Sequence, residues 1–217
     1  MGQSFAEVPL ADGRRIWMGW KWLSEEGEFG PWTGGFQTIP VELSLTETDE
    51  KELRLAYNPV RELKSLRSNH LRLKNRTISN DCHLLGEREI KGELFEIMAT
   101  FQLDSAQEFG IKFRMGQNSQ CTVGFDTKEN KIFFRDPTGK EKTSQILAPQ
   151  KGIVKLHLLI DRSVIDIFGN GGLTWNCAFF KADPQNQGIE VFSQEGIVKL
   201  ISFDLWQLNG IFNPINS

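Results

Sequence analysis

Residues 156–172, LHLLIDRSVIDIFGNGG, leave this chain few folds to choose from. Leu156, Leu158 and Ile160 alternate with other residues, so they share one face of a strand. Asp161-Arg162-Ser163 is a short polar break of turn character. Residues 164–168 then run as a second β-rich strand, and Asn170-Gly171-Gly172 supplies the positive φ that ends a hairpin. A hairpin with this much apolar surface needs a second layer against it, which points to a β-sandwich.

The same pattern continues from Cys82 onward. Phe95, Ile97, Ala99 and Phe101 fall on one face, then Phe109, Ile111 and Phe113, then Cys121, Val123 and Phe125. Residues 132–134, 152–160, 164–168, 188–192 and 197–208 extend the series to about ten to twelve strands, with turn signals at 116–118, 128–130, 137–139 and 194–196. No amphipathic helix longer than two turns fits. Residues 3–8, 14–20, 38–45 and 53–57 predict four further short strands in one antiparallel sheet, the size of a propeller blade. Between them and the sandwich, residues 58–80 read as a short helical turn followed by an irregular connector. The expected fold is therefore all-β: an antiparallel two-sheet, lectin-like sandwich at 81–217, preceded by one four-stranded propeller-type blade at 1–57 and a linker at 58–80.

Charge and cysteine usage narrow the function. The formal charge of −3 over 217 residues includes no basic stripe, which argues against nucleic acid, and no apolar run approaches a membrane span. Cys82, Cys121 and Cys177 are odd in number and lack a CxxC spacing, so they suggest neither a disulfide framework nor a zinc site. His70, His83 and His157 lack metal-ligand spacing, and no metal or cofactor is expected. Six Trp and sixteen Phe stand against one Tyr. That bias suits carbohydrate-active proteins, in which an indole face stacks on a sugar; it equally suits a sandwich core.

Several of these residues carry a family resemblance. Asp161, Arg162, Ser163, Phe168, Asn170 and Gly172 resemble the DRS-hydrophobic-acid-hydrophobic-Phe-x-Asn-x-Gly stretch of glycoside hydrolase family 32, which holds invertases, levanases and other fructan-cleaving enzymes. Gly169, Gly171 and Asp166 depart from the usual Val, Asp and Glu. Residues 3–20 and 31–43 are similar to the last blade of that family's five-bladed propeller, with Pro40, Glu42 and Leu43 matching its Pro-Arg-Glu-Leu and Val41 replacing the Arg. Pro59, Glu62, Leu63, Leu66 and Arg67 match the linker that follows. The first strand lacks the Tyr and Ala that open the family's Tyr-Ala-x-Gln, so the resemblance implies a chain that begins partway into a blade.

The resemblance implies a glycosidase that retains configuration through two carboxylates. Its nucleophile lies in an Asn-Asp-Pro-Asn-Gly-like motif and its acid/base in a Glu-Cys motif. Neither occurs here, so no catalytic residue is assigned and the chain alone is expected to be inactive. Arg135-Asp136-Pro137 spells a third family motif, but in a sandwich context; Asp136 reads as a turn residue. Asp166 could face solvent or pair with a lysine. By position, Trp20 and Trp22 are the substrate-binding candidates, as a wall of a fructose pocket, with packing between blades the competing role. Trp32 reads as pocket rim or loop anchor, and Trp206 as sandwich core. A blade without neighbours exposes residues such as Ile16, Trp17 and Phe36, which predicts self-association or docking onto a propeller fragment. The expected ligand is a fructan or sucrose-type carbohydrate, and the rival function is a fructan-binding, lectin-like module.

Overall fold

A computed structural model describes residues 2–22, 35–49, 51–79, 91–181 and 183–211. The chain divides into two compact units, residues 1–63 and 64–217.

The first unit is one antiparallel sheet of β1 (Gly2–Pro9), β2 (Arg15–Trp22), β3 (Gly35–Gln37), β4 (Val41–Glu47) and β5 (Leu53–Pro59). The strand order is β1-β2-β4-β5, and β3 pairs with the far end of β2. The short β3 is an addition to the four strands expected. Asp12-Gly13 makes the β1–β2 turn, with Gly13 at φ 82°, a conformation that costs glycine little. Arg14 secures this turn to the chain beyond β5: its guanidinium donates to Asp12 at 2.7 Å and to Glu62 at 2.6 and 3.1 Å. Residues opposite one another across a ladder share a face. Trp17 and Tyr57 therefore lie on one side, their rings 5.8 Å apart. Ile16, Trp17 and Phe36, expected to be exposed, are half-buried. The most exposed large apolar side chains among the described residues of this unit are instead Leu45 and Leu53, each 70% exposed, and Leu55 at 43%.

A 3-10 helix (Arg61–Leu66) leads into the second unit. There, β6 (Arg67–Ser79), β7 (Leu94–Gln102), β12 (Ile153–Asp161), β13 (Val164–Gly169), β14 (Thr174–Phe179) and β16 (Ile197–Leu208) form a sheet in the order β14-β13-β12-β7-β16-β6. The other sheet holds β8 (Glu108–Met115), β9 (Cys121–Asp126), β10 (Lys131–Arg135), β11 (Glu141–Ile146) and β15 (Gly188–Gln194), ordered β11-β10-β9-β8-β15. Every pairing is antiparallel. The inward residues of both sheets join one core. Phe95, Ile97, Phe101, Leu158 and Phe203 come from one side, and Phe109, Ile111, Val123, Phe125 and Phe134 from the other. Phe113, Phe134 and Phe180 meet edge-on or stacked within it at 5.6–6.2 Å, geometries favoured by the ring quadrupole. The two-sheet antiparallel sandwich is the expected architecture.

The β12–β13 hairpin follows the sequence reading closely. Arg162 takes φ 53° in its turn, and Asn170, Gly171 and Gly172 take 46°, 71° and 90° at its end. Asn170, 5% exposed, accepts from the Lys155 backbone and donates to the Ala148 carbonyl, both at 2.8 Å. Its amide thus satisfies backbone groups that the turn leaves without strand partners. Glycine at 169 has a steric reason, since an added Cβ would lie 2.5 Å from Ile132 Cδ1 and 2.9 Å from Leu147 Cδ2.

The irregular connector expected after the 3-10 helix is instead the thirteen-residue strand β6. Leu71 and Ile78 are buried, while most of its other side chains are charged or polar and outward. β6 is an edge strand, and edges tolerate that composition.

Candidate functional site

Trp20 and Trp22 occupy the end of β2, opposite Gln37 and Gly35. The Trp20 indole leans diagonally over Gly35: a Cβ there would fall 2.5 Å from its Cε2 and 2.6 Å from its Nε1. The glycine therefore provides the seat on which part of this ring packs. The Trp22 side chain and Trp32 lie outside the described residues, as do Cys82 and His83.

A cluster of polar chemistry in the second unit lies on the outward face of the six-stranded sheet. One row crosses all six strands: Cys177, Asp166, Leu159, Glu96, Trp206 and His70. The next row holds Trp175, Phe168, His157, Met98, Asp204 and Arg72. Glu96 is only 3% exposed. Arg67 clamps it through two hydrogen bonds of 2.6 Å, and His157 Nε2 lies 2.8 Å from its Oε1. Burial alone would raise the Glu96 pKa, but the bonds from Arg67 and His157 outweigh it and bring the pKa down to about 2. The Arg67 guanidinium also lies 3.9 Å over the Trp206 ring, which stacks on His70 at 4.5 Å. His70 Nε2 is 2.8 Å from Asp204.

Two sequence expectations change here. Trp206 is not sandwich core: it alternates with the buried Phe203 and Leu205 and lies half-buried on the outward face. Asp166 does not face solvent, and it hydrogen-bonds to an indole. It is 2% exposed and accepts from Trp175 Nε1 at 2.8 Å, while Trp175 stacks on Phe168 at 5.9 Å. Sequence alternation marked neither Glu96 nor Asp166 as buried, because their burial comes from side chains on other strands. The i, i+2 relation of Glu96 to Met98 and of Asp166 to Phe168 was the available signal.

Asp136 directly follows β10 and is 7% exposed. Its Oδ1 accepts from Thr138 N at 2.9 Å, Thr138 Oγ1 at 2.6 Å and Lys140 N at 3.2 Å. Burial raises its pKa, but those hydrogen bonds and Lys142 lower it further, so it stays ionised. These are the contacts of a residue holding a turn. Glu96 and Asp166 stand two strand spacings apart, roughly 10 Å between Cα atoms, with the buried Leu159 between them. Among the described residues, no group of three His, Cys, Asp or Glu side chains is placed to hold a metal ion.

Known proteins share this fold and sequence. Residues 62–207 match the family model described as "Glycosyl hydrolases family 32 C terminal". The levanase of Bacillus subtilis (strain 168) is 33% identical, over 96% of this chain and 33% of the levanase. The sucrose-6-phosphate hydrolase of Escherichia coli is 26% identical, over 91% of this chain and 40% of that enzyme. The crystal structure of fructan 1-exohydrolase IIa from Cichorium intybus superposes with a TM-score of 0.75 at 18% identity, over 96% of this chain and 48% of that one. The chain thus spans a third to two-fifths of the length of these two curated relatives. With the two-layer antiparallel sandwich and the matched stretch from Glu62 to Gln207, the chain belongs to glycosyl hydrolase family 32, in its C-terminal part.

Proposed function

We propose that this chain is the C-terminal portion of a fructan- or sucrose-cleaving glycosidase and has no hydrolytic centre of its own. The observation that carries this reading is the state of the buried carboxylates. Glu96 is held ionised by Arg67 and His157, Asp136 is held ionised by its own turn, and Asp166 is bound to the Trp175 indole. Neither Glu96 nor Asp136 is poised as a proton donor. The levanase and sucrose-6-phosphate hydrolase names of the relatives, each only partly spanned by this chain, support fructosyl bonds as the whole protein's target.

In this reading the first unit is the remnant of a last propeller blade, and Trp20 and Trp22 contribute at most a wall to a pocket completed by other blades. The sandwich buttresses the propeller. The blade's exposed leucine face is then covered by a propeller fragment or by a second copy. The test is fructose release from sucrose, inulin and levan by the purified chain. No release above the blank is expected. Turnover that survives repurification and is abolished by Asp136→Asn would overturn the reading and make the Arg-Asp-Pro segment catalytic.

A further inference from the structure

The outward face of the five-stranded sheet carries a groove of about 570 Å3, within the range of small-ligand sites. The same sheet face also carries a row unusual for a sheet exterior. Phe192, Gly110, Gly124 and Phe133 are paired in one row across β15, β8, β9 and β10. The middle of the row is two glycines, and the Phe133 ring packs over Gly124. Phe133 and Phe192 are 0% and 3% exposed although they point away from the core cluster. Arg135 lies 4.0 Å over Phe133 while binding Glu108 twice at 2.8 Å, and Lys112 lies 5.3 Å over Phe192.

The groove's walls are held in place. On one side, the loop after β8 is closed by Gly116 N donating to Ser119 O at 3.0 Å, and Asn186 donates to Ser119 Oγ at 2.9 Å. On the other stands the turn organised by Asp136. The charged lining residues cancel, with Lys112 and Arg135 against Glu108 and Asp136, so the groove offers no net attraction to an anion or a cation. The rest of the rim is rich in carboxamides. Gln117, Asn118, Gln120 and Gln194 line it, and their side chains make no hydrogen bond among the described residues. Each amide presents a donor and an acceptor side by side, the complement of adjacent hydroxyls.

We propose that this groove binds a neutral, hydroxyl-rich chain, and specifically a fructan, at a site separate from any hydrolytic pocket. The hydroxyl-rich class follows from the groove's own chemistry, whereas fructan as its member rests on the hydrolase reading above. The carboxamides take the hydroxyls, while the aliphatic stem of Lys112 meets the ligand's C–H surface.

The test is NMR titration of the 217-residue chain with levan-type and inulin-type fructo-oligosaccharides, with gluco-oligosaccharides and inorganic phosphate as comparators. Saturable shifts in the side-chain amides of Gln117, Asn118, Gln120 and Gln194 are expected with fructo-oligosaccharides. The double variant Gln120→Ala, Gln194→Ala should weaken binding at least about fivefold at an unchanged unfolding midpoint, since carboxamide contacts of this kind contribute about 1 kcal/mol together. Absence of fructan binding, shifts confined to residues outside the groove, unchanged affinity in the double variant, or equal or tighter binding of glucans or phosphate would each overturn the proposal. The hydrolase reading fails separately, by fructose release from the chain alone, a result that would leave these shifts where they are.

Discussion

A carboxylate on the outward side of a sandwich ordinarily stays solvated; Glu96 is 3% exposed and tied to Arg67 and His157. Its pKa falls from 4.5 to about 2 in the folded protein. A depressed folded-state pKa contributes stability that is present above the unfolded value and is lost as pH falls through the folded one. The window is therefore pH 4.5 down to 2, and the contribution at neutral pH is at most about 3 kcal/mol. Glu96→Gln removes the charge and leaves the Arg67 guanidinium, itself mostly buried, without its counterion. The variant is expected to be about 2–3 kcal/mol less stable than the parent at pH 7. That gap should narrow steadily below pH 4.5, because the parent loses the same interaction on protonation. Urea unfolding of both proteins at several pH values between 7 and 2.5 measures it. A gap independent of pH would mean that Glu96 acts through packing alone.

At the scale of strands, the row Phe192–Gly110–Gly124–Phe133 shows how a sheet exterior can be packed like an interior. Gly124 sits on β9 between two partners, and an added Cβ would enter the Phe133 ring. Gly124→Ala is therefore expected to cost about 1–3 kcal/mol by overpacking. In a Phe133→Leu background the space exists, and the cost should nearly vanish; a coupling above about 1 kcal/mol in the thermal or denaturant cycle is the expected result. Simple additivity would show that the clash relaxes through the backbone instead. The same scale explains which strands could be read from the sequence. Central strands such as β7, β8, β9 and β12 alternate cleanly because their inward residues all join the core. β6, β11 and β14 escaped that reading, and all three are sheet edges. Their sequences, RSNHLRLKNRTIS, EKTSQI and TWNCAF, carry the polar side chains that discourage edge-to-edge pairing, and this dilutes the period-two signal. The outward carboxylates were illegible for a related reason. Alternation says that Glu96 and Asp166 point away from the core, but only the cross-strand rows reveal that arginine, histidine and tryptophan cover them.

Across the whole molecule, the two units differ in how they satisfy their apolar surface. The second buries Phe95, Phe101, Phe109, Phe125 and Phe203 completely or nearly so between its own sheets. The first is a single sheet, and Leu45, Leu53 and Leu55 remain largely exposed on one face of β4 and β5, with Leu45 directly opposite Leu55. These three side chains present roughly 300 Å2 of contiguous apolar surface, at the lower end of what marks an interaction site. Covering it on both members of a symmetric pair removes about twice that area, a gross gain of about 15 kcal/mol at 25 cal/mol per Å2. Losing translational and rotational freedom costs about 4–15 kcal/mol. The balance favours association that is weak and concentration-dependent rather than obligate, and far stronger docking if a propeller fragment offers a larger complementary face. Sedimentation velocity of the isolated chain between about 1 and 100 μM should therefore show a rising weight-average coefficient. Leu45→Asp with Leu53→Asp should return the protein to a single slow species without lowering its unfolding midpoint, since both residues are 70% exposed. A parent chain that sediments as one concentration-independent monomer would show that the leucine face needs no cover. If the double variant associates as its parent does, the contact lies elsewhere, and the blade is not the surface through which this chain meets a partner.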